Sequence, residues 1–154
     1  KGLEKLTQLT YLSLESNQLT DVKGLERLTH LKALWLDNNQ LSDVKGLENL
    51  TKLELLWLSG NKLTDVKGLE KLTKLTGLNL NDNKLTEVPK KLEKLTQLTF
   101  LRLDDNKLTS VKGLEKLTKL TELRLQDNPD LTKAQIDQLQ KVLPNYCIIY
   151  SDFD

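Results

Sequence analysis

Few residues of this chain belong to the types that carry out chemistry. It has one histidine, His30, and one cysteine, Cys147. A zinc site needs three or four His, Cys or carboxylate ligands, so an ordinary zinc site cannot be assembled from these residues. No nucleophile–base pair and no glycine-rich phosphate loop can be constructed either. We therefore predict a protein that is not an enzyme and that has no catalytic residue, metal or cofactor.

A second group with chemical potential is a set of aspartates that follow short alternating apolar segments. They are Asp37, Asp82, Asp104, Asp105 and Asp127. Carboxylates in such positions could form a cation site or an acid pair. The residue type at each position changes from one segment to the next, and several should lie on a rim. We therefore do not expect catalysis or metal binding there.

These segments belong to an internal repeat of 22 residues that covers most of the chain. The pattern L-x-x-L-x-L-x-x-N occurs six times, with one spacing of 23 residues, and ends at Asn17, Asn39, Asn61, Asn83, Asn106 and Asn128. Leucine supplies 39 of the 58 hydrophobic residues among 154. A core built from one residue type indicates one packing environment used repeatedly, which is typical of a repeat protein.

The period defines the structural elements of each copy. The L-x-L step alternates as a strand does, so Leu34 and Leu36 should face the core while Trp35 faces outward. Near-constant connectors such as LTDVKGLEKLT (63–73) must return the chain through a glycine turn and a short 3₁₀ turn. The coils would then stack with one parallel sheet, and each Asn would satisfy buried backbone groups where the chain turns.

This repeat resembles the leucine-rich repeat consensus, most of all the phosphatase-regulator class and the similar bacterial internalins. The resemblance implies an α/β repeat solenoid: a right-handed superhelix with a parallel β-sheet on the concave face and short 3₁₀ turns on the convex face. Residues 1–154 would form one domain, with about six repeats over 3–130. The connector containing Pro89, Lys90 and Lys91 departs from the pattern, and we interpret it as a local bulge on the convex face.

The two ends of the repeat array differ. At the C-terminal end, Thr132 and Gln135 fit a capping box, and an apolar helical face that includes Val142 ends before Pro144. Residues 131–150 should thus form a helix-plus-strand cap, with Cys147 as a small buried hydrophobe. At the N-terminal end no cap is apparent. Either upstream sequence is missing or Leu3, Leu6 and Leu9 lie partly open.

Comparison of the copies separates scaffold from candidate site. The inward leucines, connectors and asparagines barely change, whereas the outward strand positions change almost completely. One outward row is expected to continue from Glu122 into Tyr146, and the next from Arg124 into Ile148. Trp, Tyr and Arg are enriched at binding hot spots, and Trp35 beside Trp57 should form an apolar centre flanked by Tyr11 and Leu55. The predicted ligand-binding residues on the concave face are Tyr11, Trp35, Asp37, Leu55, Trp57, Asn79, Phe100, Arg102, Asp104, Glu122, Arg124 and Tyr146.

The outward residues of the strands indicate a binding function. The leading hypothesis is a non-enzymatic module that binds a protein or peptide on the concave face, with Arg102 and Arg124 available to carboxylates or peptide polar groups. The alternatives are a glycan-binding repeat protein and an engineered consensus-like scaffold without a natural ligand. His30 and the connector lysines should be solvated surface, and glutamates interleave with those lysines, so we expect no nucleic-acid partner. We expect no membrane insertion, a soluble protein and a monomer, with self-association at the open N-terminal end as a further hypothesis.

Overall fold

A computed structural model describes residues 2–153, and within them one parallel β-sheet has strands between Tyr11 and Tyr150. The seven strands stand in sequence order in the sheet, so every connection joins neighbouring strands. The strands are β1 (Tyr11–Ser13), β2 (Ala33–Trp35), β3 (Leu55–Trp57), β4 (Gly77–Asn79), β5 (Phe100–Arg102), β6 (Glu122–Arg124) and β7 (Ile148–Tyr150). The predicted parallel sheet of a repeat solenoid is confirmed.

The connectors return the chain behind the sheet through tight turns. Short 3₁₀ turns occupy Leu3–Lys5, Leu47–Asn49, Leu69–Lys71 and Leu92–Lys94. Gly46 and Gly68 precede two of these turns with φ of 105° and 101°, a left-handed conformation that favours glycine. In the irregular connector Lys91 takes this place with φ 64°, so the extra residue is absorbed without loss of the turn.

The core is a single leucine cluster between the sheet and the connectors. The inward strand residues Leu34, Leu56 and Leu78 are at most 1% exposed, and connector residues such as Leu72 are equally buried. The first coil is less well covered, since Leu3, Leu9, Leu12, Leu14 and Leu19 are only partly buried and Leu6 is 49% exposed. Within residues 2–153, the leucines of the first coil are thus partly open to solvent.

Asparagine side chains join each coil to the one before it. The Asn83 amide nitrogen donates to the carbonyl oxygens of Leu58 (3.0 Å) and Leu80 (3.1 Å), and its Oδ1 accepts from the backbone N–H of Leu63 (3.0 Å). Equivalent bonds surround four other buried asparagines, namely Asn39, Asn61, Asn106 and Asn128. We call this set of five the asparagine ladder. It satisfies backbone groups that would otherwise lie unpaired within the leucine core.

The C-terminal cap is an α-helix, α1 (Lys133–Val142), followed by β7. The predicted capping box is present, with the Thr132 side chain accepting from the Gln135 backbone N–H and the Gln135 side chain accepting from the Thr132 backbone N–H. Ile136 and Leu139 are buried, whereas Val142 is 49% exposed. The prediction that Val142 lies on the buried helical face is therefore wrong, because the helix ends at this residue, whereas Leu143, predicted for the same face, is buried.

Removal of a ladder amide should destabilise the fold strongly. Asn83→Ala leaves the Leu63 N–H and the Leu58 and Leu80 carbonyls without their side-chain partner, so we expect a loss of about 2–3 kcal/mol in the free energy of unfolding. The measurement is urea unfolding followed by circular dichroism. Asn17→Ala is the matched control, because Asn17 is exposed and, among the described residues, its side chain bonds the Glu15 carbonyl alone. Equal losses in the two variants would contradict the role of the ladder.

Candidate functional site

The strand register brings the outward residues of successive coils into rows. Ala33, Leu55 and Gly77 are consecutive partners in one row, and Trp35, Trp57 and Asn79 are consecutive partners in the next. The predicted rows are confirmed from β1 to β6. We define the sheet face as the first and third residues of every strand together with the outward residue two positions after each strand. With seven strands spaced by ~4.8 Å, this face is about 29 Å long.

The predicted register of the last strand was wrong by two residues. Glu122 pairs with Ile148 and Arg124 pairs with Tyr150, so Tyr146 lies before β7 and outside the sheet-face rows. Its hydroxyl donates to the Thr118 carbonyl oxygen instead. A shift of two residues keeps every side chain on the same side of a strand, so Cys147 and Ile149 point inward in either register, and alternation alone could not separate the two.

The apolar centre of the sheet face lies across β4. The rings of Trp57 and Phe100 stack with centroids 6.0 Å apart and planes at 13°, although β4 separates the strands that carry them. Gly77, the β4 residue between Leu55 and Phe100 in the row, permits this contact. A Cβ atom on Gly77 would lie 2.8 Å from Leu55 Cδ2 and 3.2 Å from the Trp57 ring. We call Leu55, Trp57 and Phe100 the aromatic patch.

The expected position of Trp35 beside Trp57 is confirmed, and the structure adds a stacked partner on the other side of Trp57. The two residues are neighbours in their row, but the stacked partner of Trp57 is Phe100. Trp35 is half-buried, and Tyr11, on the edge strand, is 63% exposed. The sequence signal for the observed arrangement was the missing side chain at Gly77, which leaves space for large neighbours on both sides.

The two arginines of the sheet face are paired within the protein. Arg102 forms two hydrogen bonds with the buried Asp104 carboxylate, from Nε at 3.0 Å and from Nη2 at 2.7 Å. Arg124 bonds Glu122 at 2.8 Å, and its guanidinium carbon lies 4.5 Å from the centre of the Tyr150 ring. The sequence predicted arginines available to carboxylates of a ligand, whereas the structure satisfies both of them locally.

Asp37 and Asn79 are also engaged within the chain. Asp37 is 8% exposed, and its carboxylate accepts hydrogen bonds from the backbone N–H and the hydroxyl of Ser59, both at 3.0 Å. Burial raises its pKa above the ordinary value; the two Ser59 bonds oppose this rise, and the nearby Glu15 charge adds to it. Asn79 is 5% exposed, and its side-chain oxygen accepts a hydrogen bond from the Asn81 backbone N–H. These two residues shape the sheet face more than they extend from it.

The chain's single histidine and cysteine stand apart from the sheet face. His30 Nδ1 lies 3.0 Å from the Thr7 carbonyl oxygen, between two connectors. Cys147 is 2% exposed, and burial raises the pKa of its thiol. Within residues 2–153, no three His, Cys, Asp or Glu side chains are grouped so that they could hold a metal ion. Over the same range no helix has the length and apolar character needed to cross a membrane.

Two surface grooves lie among the connectors. One adjoins the irregular connector and is lined by Val66, Lys67, Glu70 and Pro89 among others. The second lies against α1. Neither groove is lined by a sheet-face residue.

The fold defines a leucine-rich repeat solenoid, and comparison with known proteins gives the same class. The family model for leucine-rich repeats matches residues 7–49, 51–96 and 96–145. The chain therefore belongs to the leucine-rich repeat family. No curated protein sequence matches it significantly.

Solved bacterial structures share the fold. A leucine-rich repeat protein of Leptospira interrogans is 34% identical with a TM-score of 0.87, covering 96% of this chain and 38% of that protein. An internalin of Listeria monocytogenes is 24% identical with a TM-score of 0.70, covering 96% of this chain and 49% of its own. Internalin C2 of the same species is 24% identical with a TM-score of 0.64, and the match covers 96% of this chain and 83% of internalin C2. The chain thus spans half or less of the first two proteins.

Asp37 provides a test of the electrostatics of the sheet face. The pKa of Asp37 is higher in the folded protein than in the unfolded chain, so between these two pKa values the folded protein binds more protons. The free energy of unfolding therefore falls as the pH rises through this window. Asp37→Asn keeps an acceptor for Ser59 without the charge. We expect its melting temperature to exceed that of the wild type by about 2 °C at pH 7. Calorimetry should show this difference disappearing near pH 3, where residue 37 is neutral in both the folded wild type and the variant. A lower melting temperature for the variant at pH 7 would contradict the raised pKa of Asp37.

The Cys147 thiol should be unreactive in the folded protein. Burial and a raised pKa both reduce the fraction of accessible thiolate. Iodoacetamide labelling at pH 8, followed by mass spectrometry, should be at least about a hundredfold slower in buffer than in denaturing urea, because labelling requires local opening. Equal rates in the two solutions would show that the C-terminal cap is open.

Proposed function

We propose that the chain is a binding module that holds a protein or peptide ligand on the concave sheet face, with the aromatic patch at the centre of the contact. The observation that carries this proposal is the Trp57–Phe100 stack over Gly77. Both rings are half-buried on a face that the leucine core does not need for its own packing. Rigid, partly desolvated aromatic side chains are the usual anchors of protein interfaces. Leucine-rich repeat proteins are in general binding scaffolds, which supports the same assignment.

A peptide ligand fits this surface better than the glycan alternative. Glycan binding would place sugar rings on open aromatic faces and hydroxyls on free carboxylates and amides. Here Trp57 and Phe100 cover part of each other's faces. The carboxylates of Asp37 and Asp104 are already bonded within the chain. What remains exposed at the centre is an apolar surface suited to an aliphatic or aromatic side chain.

The proposal is tested by selecting ligands from a phage-displayed library of random dodecapeptides on the immobilised protein. Trp57→Ala with Phe100→Ala should weaken the selected peptides by about tenfold or more in fluorescence anisotropy, because truncation removes the apolar anchor. The control variant, Lys23→Ala, Lys45→Ala and Lys67→Ala, changes exposed connector residues and should bind normally.

Thermal unfolding of both variants verifies the fold, since neither set belongs to the leucine core. The proposal would be overturned by a folded patch variant that binds as the wild type does. It would also be overturned by equal loss in the connector variant, or by the absence of any selected peptide.

A further inference from the structure

The outward side of the sheet carries a charge opposite in sign to that of the rest of the chain. The sheet face is bordered by a rim, formed by the residue three positions after each strand. Face and rim together carry eight carboxylates and two guanidinium groups, a formal net charge of −6, whereas the whole chain carries +1. The remaining residues therefore carry +7, and none of the 20 lysines lies on the face or rim. The eight acidic residues are Glu15, Asp37, Asp82, Asp104, Asp105, Glu122, Asp127 and Asp152.

The positive charges on this face are already neutralised. Arg102 is held by two bonds to Asp104, and Arg124 is bonded to Glu122 and stacked over Tyr150. An acidic ligand would meet two guanidinium groups whose charge Asp104 and Glu122 already balance, on a face of net charge −6. Electrostatic complementarity therefore disfavours an acidic partner for this face.

Uncompensated negative charge is concentrated on three successive rim positions. Asp82, Asp105 and Asp127 follow β4, β5 and β6, and all three are exposed. Among residues 2–153 no cationic side chain lies within 4.0 Å of their carboxylates; the ion pairs in that range involve other acids. With strands ~4.8 Å apart, the three carboxylates form a line about 10 Å long beside the aromatic patch on β3 and β5.

On the basis of the proposed function, we propose that the ligand is a basic polypeptide segment. It places an apolar side chain on the aromatic patch and lysine or arginine side chains opposite Asp82, Asp105 and Asp127. The apolar side chain of the ligand matches the aromatic patch, and its basic side chains match the acidic rim. A free metal ion or polyamine would leave the aromatic patch uncovered, and a nucleic acid would be repelled by a face of net charge −6.

The rim offers a substitution that removes charge without disturbing the backbone. Asp82, Asp105 and Asp127 adopt left-handed conformations with φ of 54°, 53° and 56°. Asn38 occupies the same rim position after β2 with φ 57°, so the fold already accepts asparagine there. The variant Asp82→Asn, Asp105→Asn and Asp127→Asn therefore neutralises the rim and keeps side-chain size and backbone preference.

A second variant matches the change in net charge at another place. Asp21, Asp43 and Asp65 lie in the connectors, and each accepts a hydrogen bond from the backbone N–H of the lysine two residues later. Asparagine keeps an oxygen acceptor in the same position. The variant Asp21→Asn, Asp43→Asn and Asp65→Asn thus changes the total charge by the same amount and leaves the rim unchanged.

The experiment is to pan one dodecapeptide library in parallel on the wild type, the rim variant and the connector variant. Lysine and arginine should be enriched by about threefold in the pools from the wild type and the connector variant, and not in the pool from the rim variant. Peptides selected on the wild type should bind the rim variant about tenfold more weakly, since three exposed ion pairs are lost. Raising the salt concentration from 50 to 500 mM should reproduce much of this loss in the wild type.

The outcomes separate the two proposals. Peptides without basic enrichment, which bind wild type and rim variant equally but need Trp57 and Phe100, would overturn the basic ligand and leave the proposed function intact. Peptides that depend on neither the rim nor the aromatic patch would overturn both. Equal loss of binding in the rim and connector variants would show a dependence on total charge alone and would also overturn the basic ligand.

Discussion

The structure depends on satisfying buried backbone groups inside a core that consists almost wholly of leucine. Each coil turns after its strand, and the turn brings N–H and C=O groups against apolar neighbours. An unpaired group of this kind costs about 1–3 kcal/mol. The asparagine ladder satisfies these groups from both sides: the Asn61 side chain, for example, donates to the Leu36 and Leu58 carbonyls and accepts from the Leu41 N–H. Because each amide joins two coils, the ladder also fixes their register.

The inward leucines and the ladder recur in every complete coil, whereas the outward residues differ from coil to coil. Some of these outward residues still take part in the fold, as the Asp37 carboxylate does by accepting hydrogen bonds from Ser59 in the next coil. Gly77 is one example: because it has no side chain, the rings of Trp57 and Phe100 on the neighbouring strands contact each other above it. Arg102 and Asp104 are a second example, since the last residue of β5 neutralises the buried carboxylate two positions later.

The sequence predicted the parts of the structure that arise from period and alternation. The parallel sheet, the buried leucines, the ladder and the capping box of α1 all follow from local patterns that repeat or have a fixed spacing. The register of β7 could not be obtained in this way, because α1 interrupts the 22-residue period and both registers bury Cys147. The Trp57–Phe100 contact and the arginine pairs depend on side-chain directions across several strands, which a linear pattern does not contain.

The role of the ladder can be tested most directly by amide hydrogen exchange, followed residue by residue with NMR spectroscopy. The backbone amides of Leu41, Leu63 and Leu85 donate to ladder oxygens within the buried core. The amides of Lys45 and Lys67 also donate to side-chain oxygens, but on the exposed connectors. If the ladder holds the coils together, the three leucine amides should exchange only through global unfolding, at least about 10³-fold more slowly than the lysine amides. Similar exchange rates in the two groups would contradict this role.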